Sequence, residues 1–259
     1  MRNRNVISKA AAALVALLVT ITIAACSGGP HVRSITLTFI RHAESEANAQ
    51  HVINTDVPGP SLTENGQAEA EQLAHQLSRN NFDAIYASTM VRTQETAAPL
   101  AHALGKQVQQ LPGLNEINAG WYNNTPKRAD LSAKSCWPLD FDQQHRHPCE
   151  PYLLAPADWL NGDLKDAVPG SVSGRQFNDQ FSAAVQQIYD DAQHRGTSKP
   201  VAFSHAESIM YWTLLNVKNP KDSLVNSNSL PNLGRVVVTG SPSTGWTLVE
   251  WNGVRDFSY

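Results

Sequence analysis

The stretch from Ile35 to His42 reads Ile-Thr-Leu-Thr-Phe-Ile-Arg-His, a short apolar run that ends directly in a histidine. Its residues Leu37 and Phe39 alternate with threonines, which is the two-residue period of a β-strand. The same arrangement returns at Val201-Ala202-Phe203-Ser204-His205. The sequence therefore predicts two buried strands that each carry a histidine at the carboxyl end.

Helical and extended patterns alternate between these two strands. Apolar residues at three- to four-residue steps indicate a helix within Ser61–Arg79, and Phe82–Ala87 is a second short strand. Another helical stretch ends at Gly105, and Pro99 inside it predicts that this helix starts or kinks there. Periodicity fails from about 121 to 170, which predicts a long ordered insertion that serves as a lid or a pocket wall.

Regular patterns return in the last third of the chain. Ser173-x-x-Gln176 is a capping box that opens a helix, Ile209–Val217 is a nearly all-apolar helix, and Gly234–Gly253 predicts two strands with a turn. Strands that alternate with helices predict an α/β fold. We expect a three-layer sandwich with a mostly parallel central sheet and helices on both faces.

In an open α/β sheet, side chains at the carboxyl ends of neighbouring strands meet in one crevice. His42 and His205 would meet there with Arg41, and Arg92 follows a third strand end at Tyr86-Ala87-Ser88. Each residue alone could be an ordinary surface or core residue, but the set favours an oxyanion site. Guanidinium groups match phosphoryl oxygens, and their charge keeps a neighbouring imidazole neutral and nucleophilic near pH 7.

The sequence that follows the first strand resembles a family signature. Arg41-His42-Ala43-Glu44-Ser45-x-x-Asn48 is similar to the Arg-His-Gly-Glu-Ser-x-x-Asn motif of the histidine phosphatase superfamily, in its phosphoglycerate-mutase-like branch. Among exported members, the chain is most similar to actinobacterial lipoproteins. Further blocks of the family follow in order across about residues 35 to 217: Leu62-Thr63-Glu64-Asn65-Gly66, Tyr86-Ala87-Ser88, Arg92-Thr93, Thr96-Ala97, Leu114-Asn115-Glu116, Gly120-Trp121 and Ser204-His205-Ala206.

The resemblance assigns roles to individual residues. His42 would be the nucleophile, which is transiently phosphorylated to a phosphohistidine. Arg41, Arg92 and His205 would bind the phosphoryl oxygens, and Asn48 would lie at the edge of the pocket. We expect a small phosphorylated substrate, with no cofactor and no catalytic metal.

The leaving alkoxide needs a proton, so a carboxylic acid must lie nearby. Glu116 occupies the position of the family's acid and would next act as the base for water, although a glutamate in a loop is often simply solvated. Glu207 is the reserve acid, because the other branch of the superfamily places its acid directly after the second histidine. That position is Ala206 here, which favours Glu116.

Two departures from the family pattern bear on activity. Ala43 and Ala206 replace glycines that are usual in the family, which adds methyl groups close to the phosphate, and we expect this to be tolerated. The Asn-x-x-x-Phe-Thr-Gly-Trp continuation of the glycolytic mutases is missing after Asn48. This absence favours hydrolysis over mutase activity.

The first 25 residues have the composition of an export signal. Basic residues precede an uncharged apolar stretch that is shorter than the roughly 18 to 20 residues of a membrane-spanning helix. The stretch ends at Ile23-Ala24-Ala25-Cys26, which resembles the lipobox of bacterial lipoproteins, and an ordinary secretory signal is the alternative. We expect a signal peptide over 1–25, a tether over 26–34 and a phosphatase domain over 35–259. A lipid on Cys26 would anchor the protein outside the cytoplasm, at the bacterial cell membrane.

Cys136 and Cys149 are the remaining cysteines. In an oxidising compartment a disulfide is the default, and closing a loop of this length would contribute about 3 kcal/mol. His145 and His147 lie between them and raise a metal site as the alternative, but the spacing lacks the paired pattern of structural zinc sites. We therefore favour a disulfide.

Charge and missing motifs narrow the function further. The 259 residues carry a formal net charge of −3 and no basic run, so nucleic acid is not an expected partner. No Gly-x-Ser-x-Gly, His-Glu-x-x-His or phosphate-loop motif occurs. The remaining rival is a catalytically weak, surface-anchored binding protein that keeps the fold and the phosphate pocket for recognition.

Overall fold

The computed structural model describes residues 33–127, 151–219 and 230–257. Three predictions therefore stay predictions, because their residues lie outside these ranges: the lipidated Cys26, the disulfide pair Cys136 and Cys149, and the alternative metal ligands His145 and His147.

The strands of the described residues form one six-stranded sheet, in the order β3-β2-β4-β1-β5-β6. The first four strands along the chain run parallel to one another, and the last two add an antiparallel hairpin at one edge. The prediction of a mostly parallel sheet is confirmed. In chain order the strands are β1 (Ile35–Arg41), β2 (Ala84–Ala87), β3 (Val108–Gln110), β4 (Pro200–Ser204), β5 (Arg235–Ser241) and β6 (Gly245–Trp251).

Helices cover both faces of this sheet, and they are α1 (Glu46–Ala49), α2 (Glu64–Leu77), α3 (Val91–Leu104), α4 (Leu154–Leu160), α5 (Gly174–Arg195) and α6 (Ala206–Asn216). The apolar residues of α2 and α3 pack on the face that carries Ile40 and Ile85. Those of α4, α5 and α6 pack on the face that carries Leu37 and Phe39. The predicted three-layer sandwich is thus confirmed. Within the described ranges, no helix is both long and apolar enough to span a bilayer.

Helix α3 differs from its prediction at Pro99. The helix begins at Val91, runs through Pro99 and ends at Gly105, which adopts the left-handed conformation with a φ of 61°. A proline inside a helix removes one backbone hydrogen bond, but Ala97 and Leu100 on either side of it are buried in the core. Tertiary packing of this face stabilises the helix across the proline. A start at Pro99 is therefore wrong, a kink there stays a prediction, and the end at Gly105 is confirmed.

Helix α4 lies within the stretch that showed no periodicity. Its Trp159 is 1% exposed and stacks on Phe177 of α5, with ring centroids 5.5 Å apart. The indole nitrogen of Trp159 donates a hydrogen bond to the backbone carbonyl of Asp166, at 2.9 Å. Residues 152–168 therefore contribute to the main core, although the lack of periodicity had placed them in an ordered insertion outside it.

Candidate active site

The two strand-end histidines lie next to each other. Strands β1 and β4 are parallel neighbours in which Arg41 pairs with Ser204, so the next residue of each strand is a histidine at the same edge of the sheet. The rings of His42 and His205 are both buried, and their centroids are 5.2 Å apart. The structure thus brings together the pair that the sequence predicted.

Two hydrogen bonds fix the proton of His42. Its Nδ1 lies 2.6 Å from the carbonyl oxygen of Ala43, and because a carbonyl can only accept, Nδ1 carries the proton. Nε of Arg92 donates to Nε2 of His42 at 3.2 Å, so Nε2 presents a lone pair. Burial, followed by the charges of Arg92 and Arg41, holds the pKa of His42 well below its ordinary value. His42 is therefore a neutral imidazole with an unprotonated Nε2.

Both arginines predicted to bind phosphate reach this edge. Arg92 is 3% exposed at the start of α3, and its Nη2 donates to the backbone carbonyl of Asn54 at 3.2 Å. Burial lowers the pKa of Arg92 to about 10, and the nearby charge of Glu116 acts in the opposite direction. Arg41 is held at the end of β1, where its Nη1 donates to the carbonyl of Leu230 at 2.8 Å. Burial also lowers the pKa of Arg41.

Three buried nitrogen atoms of the site have no hydrogen-bond partner among the described residues: Nε of Arg41, Nη1 of Arg92 and Nδ1 of His205. An unpaired buried donor costs about 1 to 3 kcal/mol, and more for a charged group. The guanidinium donors would be satisfied by the oxygens of an anion. The local chemistry thus fits the predicted phosphoryl site.

Glu116 follows a short 3₁₀ turn at Pro112–Leu114 and faces the same pocket. Its Oε1 accepts hydrogen bonds from the backbone nitrogen of Ser208 at 3.0 Å, the hydroxyl of Ser208 at 2.8 Å and the backbone nitrogen of Ile117 at 3.0 Å. Glu207 lines the pocket as well. The structure therefore brings both predicted carboxylates to the site, and the choice of Glu116 as the acid stays a prediction.

Asn48 lies at the wall of the pocket, as the sequence predicted. Its side-chain oxygen accepts from the backbone nitrogen of Ser45 and from Nδ2 of Asn232, both at 3.2 Å. Asn232 also donates to the backbone carbonyl of His42 at 2.9 Å. Sequence reasoning missed Asn232, because it lies 190 positions from His42 and belongs to none of the quoted motifs.

The Leu62–Gly66 motif supports the site, although none of its five residues lines the pocket. The backbone nitrogen of Thr63 donates to the carbonyl of Glu44 at 3.1 Å. A Cβ at Gly66 would overlap that carbonyl oxygen, so only glycine fits. The methyl group of Ala43 is buried in a small apolar cluster with Leu62. The structure therefore accommodates the methyl group of Ala43, and tolerance of the two alanines for activity stays a prediction.

The pocket at this edge has a volume of about 140 Å³. Lys127 and Tyr152, which lie within the predicted insertion, both contribute to its wall. Among the described residues, no group of histidine, cysteine or acidic side chains could hold a metal ion. The other lining residues are Arg41, His42, Ser45, Ala47, Asn48, Val52, Ile53, Asn54, Thr55, Arg92, Glu116, Ala206, Glu207, Met210, Leu230 and Pro231.

The pocket therefore places the positive charges of Arg41 and Arg92 beside the unprotonated Nε2 of His42. Fold and site together define the class of α/β proteins suited to phosphoryl transfer. Residues 37–153 match the model of the histidine phosphatase superfamily, branch 1. Over 214 residues the chain is 33% identical to the probable phosphoglycerate mutase GpmB of Yersinia enterocolitica, covering 81% of this chain and 89% of that protein. The chain belongs to the histidine phosphatase superfamily.

Three further proteins are similar to this chain. A PE-PGRS family protein of Mycobacterium tuberculosis is 38% identical over 237 residues, but the chain spans only 38% of that relative's length. A solved mycobacterial glucosyl-3-phosphoglycerate phosphatase is 18% identical with a TM-score of 0.62, covering 86% of this chain and all of that one. A phosphoglycerate mutase from Bacillus anthracis is 19% identical with a TM-score of 0.65, covering 86% and 94%. These two structures share the fold.

Proposed function

We propose that this protein is a phosphomonoester hydrolase that works through a phosphohistidine on His42 and needs no cofactor. The observation that carries this proposal is the state of His42: its Nε2 is unprotonated, faces Arg92 and borders the pocket. A histidine nucleophile divides one displacement at phosphorus into two easier ones. The phosphatase and mutase names among the relatives support the same chemistry.

In the first step, Nε2 of His42 attacks phosphorus and the bond to the ester oxygen breaks. Arg41 and Arg92 neutralise the charge on the equatorial oxygens, which is the main electrostatic requirement of phosphoryl transfer. Glu116 gives its proton to the departing alkoxide. In the second step, Glu116 takes a proton from water, the water oxygen attacks phosphorus, and His42 leaves as a neutral imidazole with inorganic phosphate as the product.

Turnover tests this proposal against the rival of a binding protein that has little activity. The detergent-solubilised full chain should hydrolyse p-nitrophenyl phosphate with multiple turnovers, and a matched His42→Ala protein should not. Phosphate binding with equal, background turnover in both proteins would favour the binding protein. Formation of phosphoglycerate isomers instead of free phosphate would show a mutase.

We also propose that the protein acts outside the cytoplasm, anchored to the bacterial membrane by a lipid on Cys26. The lipobox-like sequence supports this location. Cells grown with labelled palmitate should incorporate label into the wild-type chain and lose it in Cys26→Ser. Labelling that survives Cys26→Ser, or a wild-type chain recovered in the cytosol, would overturn the proposal.

We propose further that Cys136 and Cys149 form a disulfide, because both would lie in an oxidising compartment. In the Cys26→Ser protein, a thiol assay under denaturing, non-reducing conditions should find no free thiol, and reduction should release two. Two free thiols before reduction, or tightly bound zinc, would support the alternative site with His145 and His147.

A further inference from the structure

His205 is connected to the start of α3 by a chain of side-chain hydrogen bonds. Its Nε2 lies 2.9 Å from Oγ of Ser88, and that oxygen lies 2.8 Å from Oγ1 of Thr93. All three side chains are fully buried. Because the three side chains are shielded from bulk solvent, we assign their protons from the protein's own donors and acceptors.

Counting protons gives the direction of each bond. Oγ1 of Thr93 lies 2.8 Å from the carbonyl of Met90 and 3.2 Å from that of Ser88, and carbonyls only accept, so the Thr93 proton points to them. Ser88 must then donate its own proton to Thr93. The hydroxyl oxygen of Ser88 also accepts from the backbone nitrogen of Met90 at 3.1 Å. Its remaining contact, with His205, requires a proton on Nε2 of His205.

The reverse direction is unfavourable. If Thr93 donated to Ser88 and Ser88 donated to His205, the Thr93 oxygen and the Met90 carbonyl would face each other at 2.8 Å with no proton between them. Two lone pairs at that distance repel each other. The neutral His205 therefore carries its proton on Nε2 and a lone pair on Nδ1.

Nδ1 is buried, and it has no hydrogen-bond partner in the part of the chain that the structure describes. Burial, followed by the charges of Arg92, His42 and Arg41, holds the pKa of His205 well below its ordinary value, so the ring is neutral near pH 7. The carboxylates that line the adjoining pocket beside His42 are Glu116 and Glu207. Because Nε2 is committed to Ser88, only Nδ1 can contact a phosphoryl group held at His42.

We propose that phosphoryl binding carries one proton to Nδ1 of His205, and that Ser88 and Thr93 are the positioning residues that impose this. A phosphoryl dianion offers only lone pairs, so it cannot bind a second lone pair without a proton between them. The complex gains one proton per bound dianion, whether that proton is assigned to the imidazole ring or to the phosphoryl oxygen it bridges. The inference rests on the proposed function, because it takes a phosphoryl group as the ligand.

The consequence is a binding affinity that depends on pH. Inorganic phosphate is mainly a dianion at pH 8, since its second ionisation lies at about pH 7, somewhat above that of a phosphate monoester. If each bound phosphate takes up one proton, its dissociation constant should rise about tenfold per pH unit at pH values above this ionisation. Binding without proton uptake should be nearly independent of pH there.

Calorimetry measures the proton directly. Inorganic phosphate is titrated into the full-length protein at pH 8 in two buffers with different ionisation enthalpies, and the difference in heat gives the protons taken up. We expect about one proton per bound phosphate. Binding with no proton uptake would overturn the inference and leave the proposed function intact. No binding at all would overturn both.

A matched pair of variants shows that the proton goes to His205. Thr93→Val removes the acceptor of the Ser88 proton, so Ser88 can donate to Nε2 and His205 can place its own proton on Nδ1. Proton uptake should then fall towards zero, whereas Thr93→Ser should keep the wild-type value. Ser88→Ala repeats the test at the next position and should also lose the uptake. Equal uptake in all four proteins would overturn the inference.

Discussion

At the level of single residues, the reactivity of His42 follows from what it touches. The Ala43 carbonyl accepts a hydrogen bond from the protonated Nδ1, and Arg92 donates to Nε2, so the lone pair of Nε2 is available before any substrate binds. The same arginine disfavours an imidazolium at this position. In the proposed mechanism, one side chain therefore both prepares the nucleophile and contributes a donor for the phosphoryl oxygens.

Glu116 gives a prediction at this level. Glu116→Gln keeps an oxygen for the Ser208 donors but has no proton to give, so hydrolysis of an alkyl phosphate should fall by about 10²- to 10⁴-fold. Nitrophenyl phosphate should be affected far less, because its leaving group needs little protonation. Steady-state rates on both substrates measure the difference.

Glu207→Gln is the matched control for this prediction, and it should spare the alkyl phosphate. The opposite pattern, with the large and leaving-group-dependent loss in Glu207→Gln, would make Glu207 the acid. Equal losses on both substrates in Glu116→Gln would assign that residue a structural role.

The residues at the strand ends could be predicted from sequence, because a histidine directly after an apolar strand has a definite place in a parallel sheet. Asn232 and the direction of the Ser88 hydrogen bonds could not. Their roles depend on atoms from distant elements, such as the His42 carbonyl and Thr93, whose distances no local pattern encodes.

At the level of elements, the start of α2 holds the loop that follows β1. Thr63 caps the helix by accepting from the backbone nitrogen of Gly66 at 2.9 Å, and its hydroxyl also contacts the carboxylate of Glu44 at 2.7 Å. The N-terminus of α2 thus holds the loop that begins at His42. This support explains why the Leu62–Gly66 motif, which supplies no proposed catalytic group, accompanies the Arg41-His42 motif.

Gly66→Ala tests this support. The new methyl group would overlap the Glu44 carbonyl, so we expect a loss of about 1 to 3 kcal/mol in the free energy of unfolding, together with lower activity. Urea denaturation measures the stability. Gln67→Ala, at the exposed next position, is the control and should change stability little. A fully stable and active Gly66→Ala protein would contradict the proposed support.

Helix α4 shows what a short element hides from pattern reasoning. Its seven residues make about two turns, which is too few to reveal a period of 3.6 residues. The prolines around it also favoured the interpretation of this stretch as an aperiodic insertion. Its contribution became visible only through tertiary contacts, above all the burial of Trp159.

At the level of the whole molecule, the site lowers stability in acid. The pKa values of both His42 and His205 are lowered on folding, so below about pH 6.5 the unfolded chain binds more protons than the folded one. The contribution of these histidines is therefore complete above that pH. It is lost progressively as the pH falls.

The expected slope is up to about 1.4 kcal/mol per pH unit for each histidine below about pH 6.5. Urea denaturation of the full chain between pH 7.5 and 5 measures it. The double variant His42→Gln with His205→Gln should flatten the curve, whereas His75→Gln, at an exposed position, should not. An unchanged slope in the double variant would mean that other groups cause the acid sensitivity.

The proposed mechanism depends most of all on a covalent bond between phosphorus and His42. Brief incubation of the full chain with a labelled phosphomonoester, followed by a quench that avoids acid, should leave the label on the peptide that contains His42. His42→Ala should carry none, while His75→Gln should be labelled like the wild type. Stoichiometric label on the His42→Ala protein would contradict the central claim.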